Sequence, residues 1–168
     1  FLFLFIHKIY YIKVRFAGNR FNPGHGSGPT SALHVTDNSS PVFRNTQILH
    51  AENIGVYLES GSPELAGLHI EGAGDEALFF ELEATPIFTD VTVKDNVADR
   101  LTLDTAGKTL NEDRTFDFGD LPIHFTSDLT IGADATLTIV PGSVIKMPGG
   151  AFLDVNGVLL AEGTEEAP

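Results

Sequence analysis

The chain has 168 residues, about one domain's worth, and its 42% hydrophobic and 20% charged residues are a globular composition, not a disordered one. A net charge of −13 argues against nucleic acid or an anionic membrane surface as partner, and is compatible with calcium or neutral glycans. The absence of cysteine excludes a disulfide framework and any thiolate metal site.

The chain opens on Phe1, its single methionine is Met147, and it closes on Pro168, which we read as a stretch of something longer. The first six residues, F-L-F-L-F-I, are apolar but are followed at once by His7 and Lys8. That run is far short of the ~20 residues a membrane-spanning helix needs, so membrane insertion is not expected. The charge also lies on the wrong side for a signal peptide. A buried strand is the expectation for this run. Ile9, Ile12 and Val14 then keep steps of three and five that recur further on.

Residues 17–31 interrupt the pattern with a glycine-rich stretch, N-P-G-H-G-S-G-P-T-S at 22–31. From Val14 to Leu33 is a step of 19 positions, whereas Ile48 to Val56, Ile70 to Leu78 and Val93 to Leu101 are each steps of 8. About eleven residues are thus inserted between two strands, as a loop carrying His25. Inserted loops on a rigid scaffold are common carriers of function, so His25 is a candidate glycan contact at the rim.

From Leu33 onward the chain is dominated by internal periodicity. S-P-V-F-R-N-T-Q-I (40–48), S-P-E-L-A-G-L-H-I (62–70) and T-P-I-F-T-D-V-T-V (85–93) align at spacings of 22 and 23. Phe43, Leu65 and Phe88 fall at one position, and Ile48, Ile70 and Val93 at another. A second register, Leu33/Val35, Val56/Leu58, Leu78/Phe80 and Leu101/Leu103, repeats at 23, 22 and 23. Each repeat therefore carries two or three short period-two strands separated by Gly, Asn, Asp, Ser and Pro. No two-residue hairpin signal comes after these strands, and no window sustains helical periodicity. Equivalent residues instead stack in parallel, ~4.8 Å apart, and their inward columns form one continuous core. The predicted fold is all-β, a right-handed parallel β-helix of about 22–23 residues per coil, its hand given by the general rule for parallel crossovers.

The period breaks after Leu103. Residues 104–120 are acidic with little pattern, and read as a solvated connector between coils at 1–103 and a second β-helix unit at 121–168. In that unit Leu129/Ile131, Leu137/Ile139, Leu153/Val155 and Val158/Leu160 alternate again, and Pro141-Gly142 and Pro148-Gly149-Gly150 supply turns.

The runs S-P-V-F-R-N-T-Q-I, T-L-T-I-V-P-G-S-V-I-K-M and V-N-G-V-L-L-A-E-G-T resemble the repeats of pectin-lyase-like β-helices in large secreted and cell-surface bacterial proteins. The resemblance covers roughly residues 9–103 and 121–165. It implies an extracellular or surface location and neighbouring β-helix modules in the same parent chain. The fold hosts pectate lyases, polygalacturonases, epimerases, tailspikes and adhesins, so it does not fix an activity. Gly24-His25-Gly26 is similar in letters to the GHG motif of polygalacturonases. That family's acids stand in N-T-D and D-D motifs of earlier coils, whereas residues 1–36 here contain no carboxylate. Arg44, Lys94 and Lys146 stand in no R-I-K context, and Ser27-Gly28-Pro29-Thr30 stands where the family has an apolar strand.

The fold itself points to a better candidate. One outward column reads His34, Tyr57, Phe79, Thr102, and the next Thr36, Glu59, Glu81, Asp104. An aromatic strip beside a carboxylate ladder is what a polysaccharide or cell-surface glycan needs: rings to stack on sugar faces and acids to accept hydroxyl hydrogens. His34, Tyr57 and Phe79 are the candidate glycan contacts. Carboxyls ~5 Å apart suit a retaining glycosidase and ~9 Å an inverting one, which makes Glu59, Glu81 and Asp104 the candidate catalytic acids. Stacked like charges also recruit calcium, for which the same three are the candidate ligands. A third column, Gln47, His69 and Thr92, with Leu49, Glu71 and Lys94 beyond it, reads as solvated surface. No phosphate loop, GxSxG elbow or HExxH occurs. The residues support two expectations: a non-catalytic structural or adhesive module contacting glycans or calcium, or a polysaccharide hydrolase or lyase working through Glu59, Glu81 and Asp104.

Overall fold

The computed structural model describes residues 8–10, 13–15 and 30–165. The apolar run at 1–6 and nearly all of the inserted loop at 17–31 lie outside the described residues. Every described strand pairing is parallel, and the strands stack as a β-solenoid of about six turns with no helix among the described residues. None of those residues forms a helix long and apolar enough to cross a membrane. The chain divides into two compact units, Phe1–Asp99 and Arg100–Pro168.

The first unit opens with β1 (Lys8–Tyr10) and β2 (Lys13–Arg15). Three coils come next: β3 (Ser31–Val35), β4 (Val42–Arg44) and β5 (Gln47–Leu49); β6 (Ile54–Leu58), β7 (Glu64–Ala66) and β8 (His69–Glu71); then β9 (Glu76–Glu81), β10 (Ile87–Thr89) and β11 (Thr92–Lys94). They pair as β1-β4-β7-β10, β2-β5-β8-β11 and β3-β6-β9. The registers are those the periodicity requires: Phe43 opposite Leu65, Leu65 opposite Phe88, Ile48 opposite Ile70 and Ile70 opposite Val93. Phe43, Leu65, Ile48, Ile70, Val56, Leu58, Leu78 and Phe80 are buried, so the inward columns form the core.

The Ser/Thr-Pro step that marks each repeat has a structural reason. The Ser40 hydroxyl accepts from the Ser62 N–H at 3.1 Å, and the Ser62 hydroxyl pairs in turn with that of Thr85. The proline carbonyls accept from the next coil, Pro41 from Glu64 and Pro63 from Ile87, both at 2.9 Å. Proline keeps the chain extended at the sheet's entrance, and its neighbour's hydroxyl satisfies a backbone donor one coil on.

Two corners per coil turn through left-handed backbone. Asn45, Gly67 and Asp90 have φ of 49°, 64° and 51°, and His50, Gly72 and Asp95 have 54°, 70° and 54°. The Asn45 and Gly67 N–H groups donate to Ala66 and Thr89, each at 2.8 Å. Asn, Asp and Gly are the residues that tolerate this conformation, which accounts for their place in the repeat. Asn96 acts as a side-chain staple after the last of these corners: its Oδ1 accepts from the Ala73 N–H at 2.8 Å, and its Nδ2 donates to the Ile70 carbonyl at 3.1 Å and to Asp99 at 2.7 Å.

β12 (Ala98–Asp104) runs across the division. After it come β13 (Lys108–Leu110), β14 (Arg114–Phe116), β15 (Ile123–Phe125), β16 (Leu129–Ile131), β17 (Thr136–Ile139), β18 (Ile145–Lys146), β19 (Leu153–Val155) and β20 (Val158–Ala161). In the second unit the pairings run β12-β15-β18, β13-β16-β19 and β14-β17-β20. Residues 104–120 are therefore not a solvated connector. They hold β13 and β14 and bury Leu110, Phe116 and Phe118, with the Phe116 and Phe118 rings 5.7 Å apart. Apart from Asp104, half-buried at the end of β12, their acids lie at exposed positions between the strands, while one apolar residue per strand reaches the core; three-residue strands carry too little alternation to stand out from such charged neighbours.

Candidate functional site

The candidate face belongs to β3, β6 and β9, where the parallel register sets His34 opposite Tyr57 and Tyr57 opposite Phe79. The rings stack accordingly. His34 and Tyr57 have centroids 4.7 Å apart with an interplanar angle of 29°, and Tyr57 and Phe79 are 5.6 Å apart, tilted at 57°. These separations suit offset aromatic packing.

The carboxylates do not stand as a free ladder. Two of them reach back to the ring one coil earlier: Glu59 Oε2 lies 3.2 Å from His34 Nε2, and the Tyr57 hydroxyl donates to Glu81 Oε1 at 2.7 Å. Thr36 adds a hydroxyl donated to Glu59 Oε2 at 2.7 Å. Charge-assisted bonds of this kind anchor the acids to the scaffold. Asp104 sits in the second unit, where its carboxylate accepts from the Thr126 hydroxyl at 2.8 Å and the Ala106 N–H at 3.3 Å, and Lys108 Nζ lies 3.5 Å away. Each of the three candidate acids thus has partners of its own.

Exposure divides the candidate glycan contacts. His34 and Glu59 are exposed, with side chains 43% and 50% accessible, and Phe79 is half-buried. Tyr57 is 6% accessible, so its ring offers no face to a sugar. His25 lies outside the described residues. Among the described residues no group of three or more His, Asp or Glu side chains is placed to hold a metal ion. The calcium expected at Glu59, Glu81 and Asp104 therefore has no ligand cluster there.

A second polar cluster occupies the column formed by β5, β8 and β11, which the sequence marks only as surface. His69 Nδ1 lies 2.9 Å from the Thr92 hydroxyl, and His69 Nε2 lies 3.2 Å from Glu71 Oε2. The His69 hydrogen bond, reinforced by nearby Lys94, holds the Glu71 carboxyl below its ordinary value of 4.5 against the opposing effect of burial. The signal for this cluster is present in the register, since Gln47, His69 and Thr92 share one outward column. In the second unit a cleft of about 380 Å³ lies between Thr138–Pro141 and Leu160–Thr164, and holds none of the candidate residues.

Thr105, wholly buried, donates to the Ser127 carbonyl at 2.8 Å and accepts from the Ser127 N–H at 2.9 Å. Among the described residues no buried side-chain nitrogen or oxygen lacks a hydrogen-bond partner. Comparison with known proteins finds no matching family model, no similar curated protein and no similar solved structure.

Proposed function

We propose that the chain is a non-catalytic structural β-solenoid module of a secreted or cell-surface protein of the pectin-lyase-like kind, and that it contacts glycans through the exposed His34 and Glu59, with half-buried Thr36 and Phe79 beside them. The observation that carries this reading is the tying of each candidate acid to its own partners: Glu59 to His34 and Thr36, Glu81 to Tyr57, Asp104 to Thr126 and Lys108. Glycoside hydrolysis by paired acids needs two carboxyls flanking one bond, whereas here each is turned to a partner of its own. Carboxylate oxygens held in place and half open to solvent are instead suited to accepting sugar hydroxyls, and a histidine edge beside them to donating.

The test is retention of the protein on insoluble polysaccharides, with released reducing ends measured in the same samples. Wild-type protein is expected to be retained on at least one polysaccharide without releasing sugar. Glu59→Gln removes the charged acceptor and is expected to weaken retention about tenfold, as loss of one charged hydrogen bond does. Asp154→Asn, on the second unit, should leave retention unchanged. Sugar release that Glu81→Gln abolishes would replace this reading with a polysaccharide hydrolase or lyase, and retention on no polysaccharide would remove the glycan contact.

A further inference from the structure

The face of β3, β6 and β9 presents hydrogen-bond acceptors to a ligand. An ionised carboxylate offers about four acceptor positions over its two oxygens. At Glu59 both contacts fall on one oxygen: His34 Nε2 lies 3.2 Å and the Thr36 hydroxyl 2.7 Å from Oε2. Oε1 takes no hydrogen bond among the described residues, although the side chain is exposed. The single Thr36 hydroxyl proton is directed at Glu59, so Thr36 Oγ1 can only accept from a ligand. The open positions at Glu59 and Thr36 are therefore acceptors.

The charge around them has the same sense. Residues 31–84 carry nine aspartates and glutamates against one lysine or arginine, Arg44, and Arg44 is itself paired with Glu64. β3, β6 and β9 contain no lysine or arginine at all. A uronate carboxylate only accepts hydrogen bonds and carries the same sign of charge, so it is mismatched on both counts. An acetamido group brings one N–H and a carbonyl. A protonated amine brings three donors, no acceptor and the opposite charge.

We propose that the glycan taken by this face is a polymer of free-amine sugars, of the polyglucosamine class, with an ammonium donating to Glu59 Oε1 and Thr36 Oγ1. The proposal rests on the reading of His34 and Glu59 as a glycan contact and narrows it to one chemical class. The acidic surroundings raise the local concentration of such a polycation and turn uronans away.

Titration calorimetry at low ionic strength tests this with three probes of equal length: a glucosamine oligomer with its amines protonated, its fully N-acetylated counterpart, and a galacturonate oligomer. Wild-type protein is expected to bind the amine form at least about tenfold more tightly than the N-acetylated form, and galacturonate least, with the gap narrowing as salt is raised. Glu59→Gln is expected to close most of that gap, while Asp154→Asn, an exposed acid on the second unit, leaves it as it is. The wild-type comparison of the three probes stands by itself if Glu59→Gln loses its β-rich circular dichroism. Equal affinity for the amine and N-acetylated forms overturns the amine selectivity and leaves the glycan contact standing. Galacturonate bound as tightly as the amine form also overturns it, as does a gap that Asp154→Asn narrows as much as Glu59→Gln, because the charge then acts diffusely. Binding of none of the three overturns the proposal, and retention on no polysaccharide of any kind removes the reading beneath it.

Discussion

Tyr57 stands in a column that alternation assigns to solvent, yet its ring is buried. The cause is stacking: His34 and Phe79 cover it from the coils on either side, and its hydroxyl is satisfied by Glu81. An outward aromatic is exposed when it stands alone and covered when its register neighbours are also rings, so only the full column decides. Spacing makes the column legible; the covering, and the turning of Glu59 and Glu81 toward the preceding ring, depends on rotamers that spacing does not encode. Glu71 shows the same dependence and has a measurable consequence. Its carboxyl is held below 4.5 in the folded protein by the His69 hydrogen bond, with Lys94 adding to the effect. The unfolded chain therefore binds the proton first as pH falls. The stabilisation is complete above the ordinary value and is lost as pH drops through the lowered one. Urea midpoints tracked from neutral pH down through that window should fall more steeply for wild-type protein than for His69→Gln. Equal slopes would remove the coupling.

The strands are short, three to six residues in the first unit, and their position is fixed by the corner between them. Asn45, Gly67 and Asp90 repeat one left-handed corner at the spacing of the coil, and the hydrogen bonds from Asn45 and Gly67 link successive corners. At φ of 49° a β-branched side chain meets the backbone, so Asn45→Val should cost about 2 kcal/mol or more, while Asn45→Gly should stay within about 1 kcal/mol of wild type. Chemical denaturation of the two variants checks this, and equal losses would show that side-chain bonding, not backbone conformation, sets the corner. The inward columns of the first unit can be read from the sequence because Phe43, Leu65, Ile48 and Ile70 recur without a gap. Residues 104–120 cannot. There the corner lengthens to three residues between β13 and β14, and a single buried residue per strand, Leu110 or Phe116, has no second apolar neighbour to declare the period.

Across the whole molecule the charge is lopsided, with 23 acids against 10 lysines and arginines. Arg44 and Glu64 form one matched ion pair, but the surplus of acids leaves a net charge of −13, and self-repulsion therefore opposes folding. Raising salt from low to physiological strength should stabilise the protein by about 1 kcal/mol, roughly 2–4 °C in Tm, measured at a dilution where the chain is monomeric. A fall in Tm would mean that the ion pairs outweigh the repulsion. The pairing of β1 with β4 and of β2 with β5 bears on a different property. Lys8 meets Val42 and Lys13 meets Gln47, 34 positions on, where the next coils advance by 22 or 23. The strands keep their alignment although this one coil holds about a dozen additional residues. Lateral growth and vertical stacking are thus decoupled: chain length between β2 and β3 can differ from that of the other coils without disturbing the order of the ladder. A foreign peptide grafted between Arg15 and Ser31 is therefore expected to leave the pairing of β1 with β4 and of β2 with β5 as it stands.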